Sequence, residues 1–236
     1  MTKQLWGSLC VAGLVASTSF AGTVNSPWAP AAGEKNLHEI LGLVPGQENS
    51  LQIATDEVWN TSIGGQYTSI IIEFAGSKDI NIFGVYDVNA PGSKMAIFNG
   101  PDSLLTGSKQ LLISGDTLQV GASTLDLNGG SQFGFYIQNG NQTFYSQTSL
   151  NGGADQLATY NINDTKFGKP PFPNNTGWIL AWEDLAVGSS DRDYNDLVVS
   201  LTAQPIPEPT TMIAGALLLV PFAASTIRVL RRKNVA

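Results

Sequence analysis

Cysteine and histidine are almost absent from this sequence, with one of each in 236 residues. Cys10 lies in an apolar N-terminal stretch, so the rest of the chain can form no disulfide, no cysteine-zinc site and no thiol nucleophile. A single histidine, His38, excludes a multi-histidine metal centre and leaves only one residue for the base of a Ser-His-Asp triad. Positive charge is scarce as well. Residues 22–209 carry 7 of the 12 Lys and Arg but all 19 Asp and Glu, a net charge of −12. A body this acidic repels phosphate backbones, which excludes nucleic acid as a partner and favours divalent cations. Acids are in turn missing from residues 1–21 and 210–236, and both of those stretches are strongly apolar.

The ends read as addresses. Lys3 is followed by an apolar and small-residue run over 5–20, and Ser19 and Ala21 supply small residues three and one positions before a cut after Ala21. That is the pattern of a secretory signal peptide over residues 1–21. Leu9 stands where a small residue would precede a lipidated cysteine, so Cys10 is not a lipoprotein acceptor. At the other end, Pro207-Glu208-Pro209 precedes an apolar run over 210–230 and then Arg231-Arg232-Lys233. Twenty-one helical residues span roughly 30 Å, the thickness of a bilayer core. The basic flank predicts a cytoplasmic C-terminus and an external body, in agreement with the leader.

These three parts together resemble the PEP-CTERM sorting signal of Gram-negative bacteria, here residues 205–236. The resemblance implies recognition at Pro207, Glu208 and Pro209 by an exosortase-type membrane protease. It also implies removal of the helix and a producer of extracellular polysaccharide. The expected location is outside the cytoplasm, membrane-anchored for a time or permanently, then at the cell surface or in the matrix.

Between the ends, turn signals recur every eight to twelve residues, and the intervening segments are rich in β-branched and aromatic residues. Strands are expected over 50–58, 68–74, 80–86, 94–98, 109–113, 117–120, 132–138, 142–146, 157–161, 177–182 and 197–201. Phe133, Phe135 and Ile137 alternate with Gln132, Tyr136 and Gln138 as a strand with one buried face requires. Residues 178–182, Trp-Ile-Leu-Ala-Trp, are apolar on both faces and predict a central strand. Leu37, Ile40 and Leu41 give one short helical stripe, from which His38 falls towards solvent. The fold class is therefore all-β, an antiparallel β-sandwich of jelly-roll-like kind. The looser chain at Gly129–Gly130 reads either as a division between an N-terminal part, 22–129, and a module over 130–204, or as a hairpin within one sandwich.

One segment carries chemistry. Between two apolar strands, residues 183–196 hold five acids: Glu183, Asp184, Asp191, Asp193 and Asp196. With Asn195, the residues Asp184, Asp191, Asp193 and Asp196 form a candidate set of oxygen ligands for Ca²⁺, which takes six to eight oxygens. An EF-hand starting at Asp191 fails, because its sixth position is Asp196 rather than Gly and its twelfth is Thr202 rather than Glu. The competing reading is a hydrogen-bonded turn, with Asp191 and Asp193 accepting backbone N–H groups and Arg192 and Tyr194 tying the loop to the sheet. Asp87 and Asn89 pose the same choice on a smaller scale, between a second ion and a capped turn.

The same segment, with Glu183-Asp184-Leu185 and Asp191-Arg192-Asp193-Tyr194-Asn195-Asp196, resembles the DUF4114 family of secreted bacterial domains. The resemblance covers 177–201 and reaches back to Phe133 through Phe144-Tyr145-Ser146. It implies a β-rich extracytoplasmic module, suspected of calcium binding and without catalytic activity. Three functions then compete. The first is a non-enzymatic, Ca²⁺-stabilised envelope or matrix protein. The second is a calcium-dependent module binding exopolysaccharide through Trp28, Trp59 or Tyr194. The third is a hydrolase using Asp191 and Asp193, for which no apolar pocket that would raise a carboxyl pKa is evident.

Overall fold

The computed structural model describes residues 22–25, 34–54, 56–61, 65–72, 80–99, 108–161, 177–201 and 205–206, with backbone alone for 65–72, 108 and 205–206. The leader, Trp28, the sorting motif, the apolar C-terminal run and its basic flank lie outside these residues. Among those described, no helix is long and apolar enough to cross a membrane.

Fourteen described strands build two antiparallel sheets. The larger runs in the order β1 (Gln52–Ile53), β11 (Leu157–Asn161), β12 (Trp178–Trp182), β13 (Leu197–Leu201), β3 (Gly65–Ile72), β6 (Ser108–Ser114), β7 (Thr117–Val120), β8 (Ser123–Asp126). The smaller runs β14 (Pro205–Ile206), β2 (Val58–Asn60), β9 (Gln132–Asn139), β4 (Ile82–Asp87), β5 (Ala90–Asn99), and β10 (Gln142–Tyr145) also pairs with β9. One core lies between the sheets. Trp59, Phe83, Phe135 and Ile137 of the smaller sheet meet Leu111, Leu157, Leu180 and Trp182 of the larger, and an edge-to-face contact joins Phe83 to Trp182. Facing sheets around a shared apolar layer are the sandwich expected from the alternation.

In both sheets strands from before 129–130 pair with strands from after it: β2 and β4 with β9, and β3 with β13. Residues Ser19–Glu208 form one compact unit.

β12 explains its own composition. Trp178, Leu180 and Trp182 enter the core between the sheets. Ile179 and Ala181 face the other way, into a second cluster formed with Val24, Leu37, Ile40, Leu41, Tyr160 and Val198. The cover on that outer face is α1 (Leu37–Leu41) with the segment around Val24. A strand buried on both faces has no polar side to show.

Three expectations change. His38, expected in solvent, is only 7% exposed. Of the five residues of α1 only Glu39 stays exposed, and His38 is covered together with Leu37, Ile40 and Leu41. The strand expected over 50–58 is instead α2 (Gln47–Leu51), the two residues of β1 and the start of β2. Its apolar residues serve two different neighbours rather than one pleated face. β8 and β14 were not anticipated: β8 is short and polar apart from Leu125, and β14 is only two residues long and begins with a proline.

Candidate metal centre

The acidic segment leaves the larger sheet at the end of β12. There the Glu183 N–H still donates to the Gln156 carbonyl at 3.1 Å, and Gln156 Nε2 donates to the Leu185 carbonyl at 2.6 Å. The chain then turns, with Ser189 and Ser190 N–H groups both donating to the Ala186 carbonyl at 2.7 and 3.0 Å. From Asp191 to Asn195 the backbone alternates sharply. Arg192 and Tyr194 have φ of 63° and 54°, a left-handed conformation that bulky residues adopt only when their surroundings hold them there. For Tyr194 the holding contacts are visible. Its side chain is buried, its hydroxyl donates to the Asp155 carbonyl at 2.9 Å, and its N–H donates to Glu183 Oε1 at 2.6 Å.

Turning the backbone at Arg192 and Tyr194 carries Asp191 and Asp193 to Glu183. One oxygen from each of Glu183, Asp191 and Asp193 lies within 4.8 Å of the others. Glu183 and Asp193 are buried and Asp191 is exposed, so the cluster has an inner wall and an open side. Glu183 accepts from Tyr194 N–H and from the Ser190 hydroxyl. Asp193 accepts from the Asn195 N–H at 3.2 Å and from the Asn195 side-chain amide. Each carboxylate oxygen has two lone pairs, so these bonds leave acceptor capacity for a cation.

The other residues of the anticipated set sit apart from this group. Asp184 accepts from the Asn81 side chain at 2.9 Å, and its N–H donates to Asp196 Oδ2 at 2.9 Å. Asp184 and Asp196 thus form a pair of their own, bound to Asn81. Asn195 directs its side-chain N–H groups to Asp193 and to the Lys35 carbonyl, which leaves only Oδ1 as a ligand atom. Glu183, absent from the anticipated ligand set, is the residue that joins Asp191 and Asp193. It immediately precedes Asp184, and adjacent residues at a strand end point to opposite sides. Sequence density could not decide which of the two faced the loop.

Crowded carboxylates resist ionisation. Burial, then the charges of Asp191 and Glu183, push Asp193 up to about 7. Burial followed by Asp184 pushes Asp196 up to about 9, and burial followed by Asp191 raises Glu183. The sequence reading saw no environment that would raise a carboxyl pKa here, and on this point the structure differs. The apolar cluster of α1, the Val24 segment and the larger sheet takes in Tyr194, so Glu183 and residues 193–195 are buried at the two ends of a loop whose middle, 185–192, stays exposed or half-buried. A cation among Glu183, Asp191 and Asp193 would relieve the same repulsion that protons relieve.

Two further expectations meet the structure here. Trp59 is fully buried and Tyr194 is 2% exposed, so neither offers a ring for a sugar to stack on. Asp87 Oδ1 accepts the Asn89 N–H at 2.9 Å, which makes that pair a capped turn between β4 and β5.

A family described as a domain of unknown function, DUF4114, matches residues 112–204. The match begins in β6, earlier than the Phe133 start read from motifs, and contains the whole acidic loop. No curated protein matches the chain.

Proposed function

We propose that this chain is an exported, non-enzymatic cell-envelope or extracellular-matrix protein whose acidic loop takes up Ca²⁺ between Glu183, Asp191 and Asp193. The observation that carries the reading is the approach of three carboxylate oxygens to within 4.8 Å of one another. Ligation by oxygen alone suits a hard cation, and the open side at Asp191 leaves room for waters to complete six to eight ligands. A left-handed backbone at two bulky residues is a cost that a bound ion would offset. An exported domain without a disulfide gains most from such a clip. The leader ending at Ala21 and the PEP-CTERM-like segment, Pro207-Glu208-Pro209 with Arg231, Arg232 and Lys233, support export and exosortase-type processing.

The test is calorimetric titration of the purified protein with Ca²⁺ and then Mg²⁺, with melting curves in each ion and in chelator. A one-to-one, calcium-selective heat is expected, together with a higher melting temperature, since a ligand of the native state stabilises it by about 2.7 kcal/mol at a hundredfold excess over Kd. Identical melting in calcium and in chelator, unchanged by Asp191→Ala with Asp193→Ala, would overturn the reading. Export is tested separately. Alanine at 207, 208 and 209 should leave the C-terminal segment attached to envelope-bound protein, as measured by intact mass.

A further inference from the structure

Gly22 is the residue directly after the anticipated leader cut, and its backbone nitrogen lies 2.7 Å from Asp155 Oδ2. The other oxygen of Asp155 accepts from the Leu157 N–H at 3.1 Å, which fixes the carboxylate at the start of β11. A side chain at position 22 has no space: a Cβ there would run into the Tyr194 hydroxyl and come within 3.3 Å of Asp155 Oδ2. Beside this contact lies a cavity of about 340 Å³, lined by Gly22, Thr23, Asp155, Arg192 and Tyr194 among others. It is roomy enough for the hydration water of a charged group.

The residues that follow are held one by one. Asn49 brackets Val24, accepting its N–H at 2.8 Å and donating to its carbonyl at 2.9 Å. Asn25 donates its N–H to the Arg192 carbonyl at 2.6 Å and its side-chain amide to the Asp191 carbonyl at 3.2 Å. Residues 22–25 therefore lie as a strap over the backbone of the acidic loop. Around the Gly22 end of the strap acids outnumber bases: Asp155, Asp56 and Glu57 stand against Arg192, which lines the cavity from the acidic loop. Asp155 is raised to about 6, chiefly by burial and further by Glu57, and the buried Asp56 is raised by burial and then by Asp155. That neighbourhood calls for a cation.

We propose that cutting the leader after Ala21 creates an α-ammonium at Gly22 that docks on Asp155 as a partly buried ion pair and fastens the strap across the acidic loop. In the cut, water adds to the Ala21 carbonyl carbon and the C–N bond to Gly22 breaks. Ala21 leaves as a carboxylate, and the Gly22 nitrogen takes up protons to become –NH₃⁺. A neutral amide donor is thereby replaced by a charged one, which adds a coulombic attraction to the hydrogen bond already made to the carboxylate. The site is thus one for a primary ammonium, and its ligand is the chain's own processed end. It goes beyond the calcium reading and rests on the export reading for one fact, the position of the cut.

Two readouts on the exported full chain separate those points. The first is the N-terminal residue of the mature protein, determined by mass spectrometry. Gly22 is expected, and any other start overturns the proposal while leaving the calcium reading untouched. The second is the rate at which the α-amine is acylated by a small amine-reactive ester, native against denatured. An opposite charge raises an amine's pKa, and one unit removes about tenfold of its reactive neutral form. Native Gly22 should therefore react at least about tenfold more slowly than denatured, and Asp155→Asn should abolish that protection. Should Asp155→Asn fail to accumulate, Gly22→Ala serves: its Cβ displaces the terminus, and the amine should become reactive. Equal rates in native and denatured wild-type protein, or protection that survives the substitution, would overturn the pair.

Discussion

Asp193 holds a buried carboxyl between Asp191 and Glu183, and the sign of its contribution depends on what shares the site. Without a cation its ionisation is resisted, so Asp193→Asn should raise the melting temperature at pH 8 in chelator, because removing a buried charge outweighs the one bond lost from the Asn195 side-chain amide while the amide oxygen still accepts the Asn195 N–H. In calcium the same change should weaken binding at least tenfold and lose the ion's stabilisation. Differential scanning fluorimetry across a calcium series would show the two effects with opposite sign. The pH dependence follows the same logic. Asp193 and Asp196 titrate near 7 and 9 in the fold but near 4 when unfolded, so between those values the native state holds more protons. Stability in chelator should therefore be greatest near pH 4–5 and decline as pH rises through 7 to 9, no more steeply than about 1.4 kcal/mol per pH unit for each proton. Calcium should flatten that decline, as urea melts at pH 5, 7 and 9 would register. At this scale the five acids were legible in the sequence, but their division was not. Glu183 and Asp184 are neighbours in sequence and yet serve different sites, because a strand end turns them apart.

At the scale of elements, β12 and β9 show what alternation can predict. Phe133, Phe135 and Ile137 enter the core as their spacing required, and the apolar run of β12 is buried on both faces. The opposite face of β9 was less transparent. Gly134 on β9 lies against the Tyr86 ring of β4, and a Cβ there would collide with it. Tyr86 cannot easily retreat, being buried with its hydroxyl donating to Gln147 Oε1 at 2.9 Å. Gly134→Ala should thus cost about 1–3 kcal/mol by overpacking, measured by urea denaturation with an unchanged m-value. No sequence signal pointed to that glycine, because the ring that fills its place comes from a different strand. The short segment over 50–58 misled for a related reason: its apolar residues suit a strand, but tertiary neighbours cut it into a helix end and two short strands.

At the scale of the molecule, the family match over 112–204 does not coincide with a separable body. β9 lies between β2 and β4, and β13 lies beside β3, all supplied by residues before 112. A fragment of 112–204 alone should leave those edges and the core face of β9 open. It should show no cooperative thermal transition by near-ultraviolet circular dichroism, whereas the full body should. The sequence by itself determined the strands of strong alternation, the acid-rich turn between two apolar strands, and the absence of any cysteine or multi-histidine site. Each of these depends on residue type and on neighbours within a few positions. Only the tertiary structure decided that Glu183 joins Asp191 and Asp193, that His38 is covered, and that Gly22 meets Asp155 across 133 residues of chain. Those outcomes depend on which side chains from distant segments arrive at the same place, and local periodicity carries no information about that arrival.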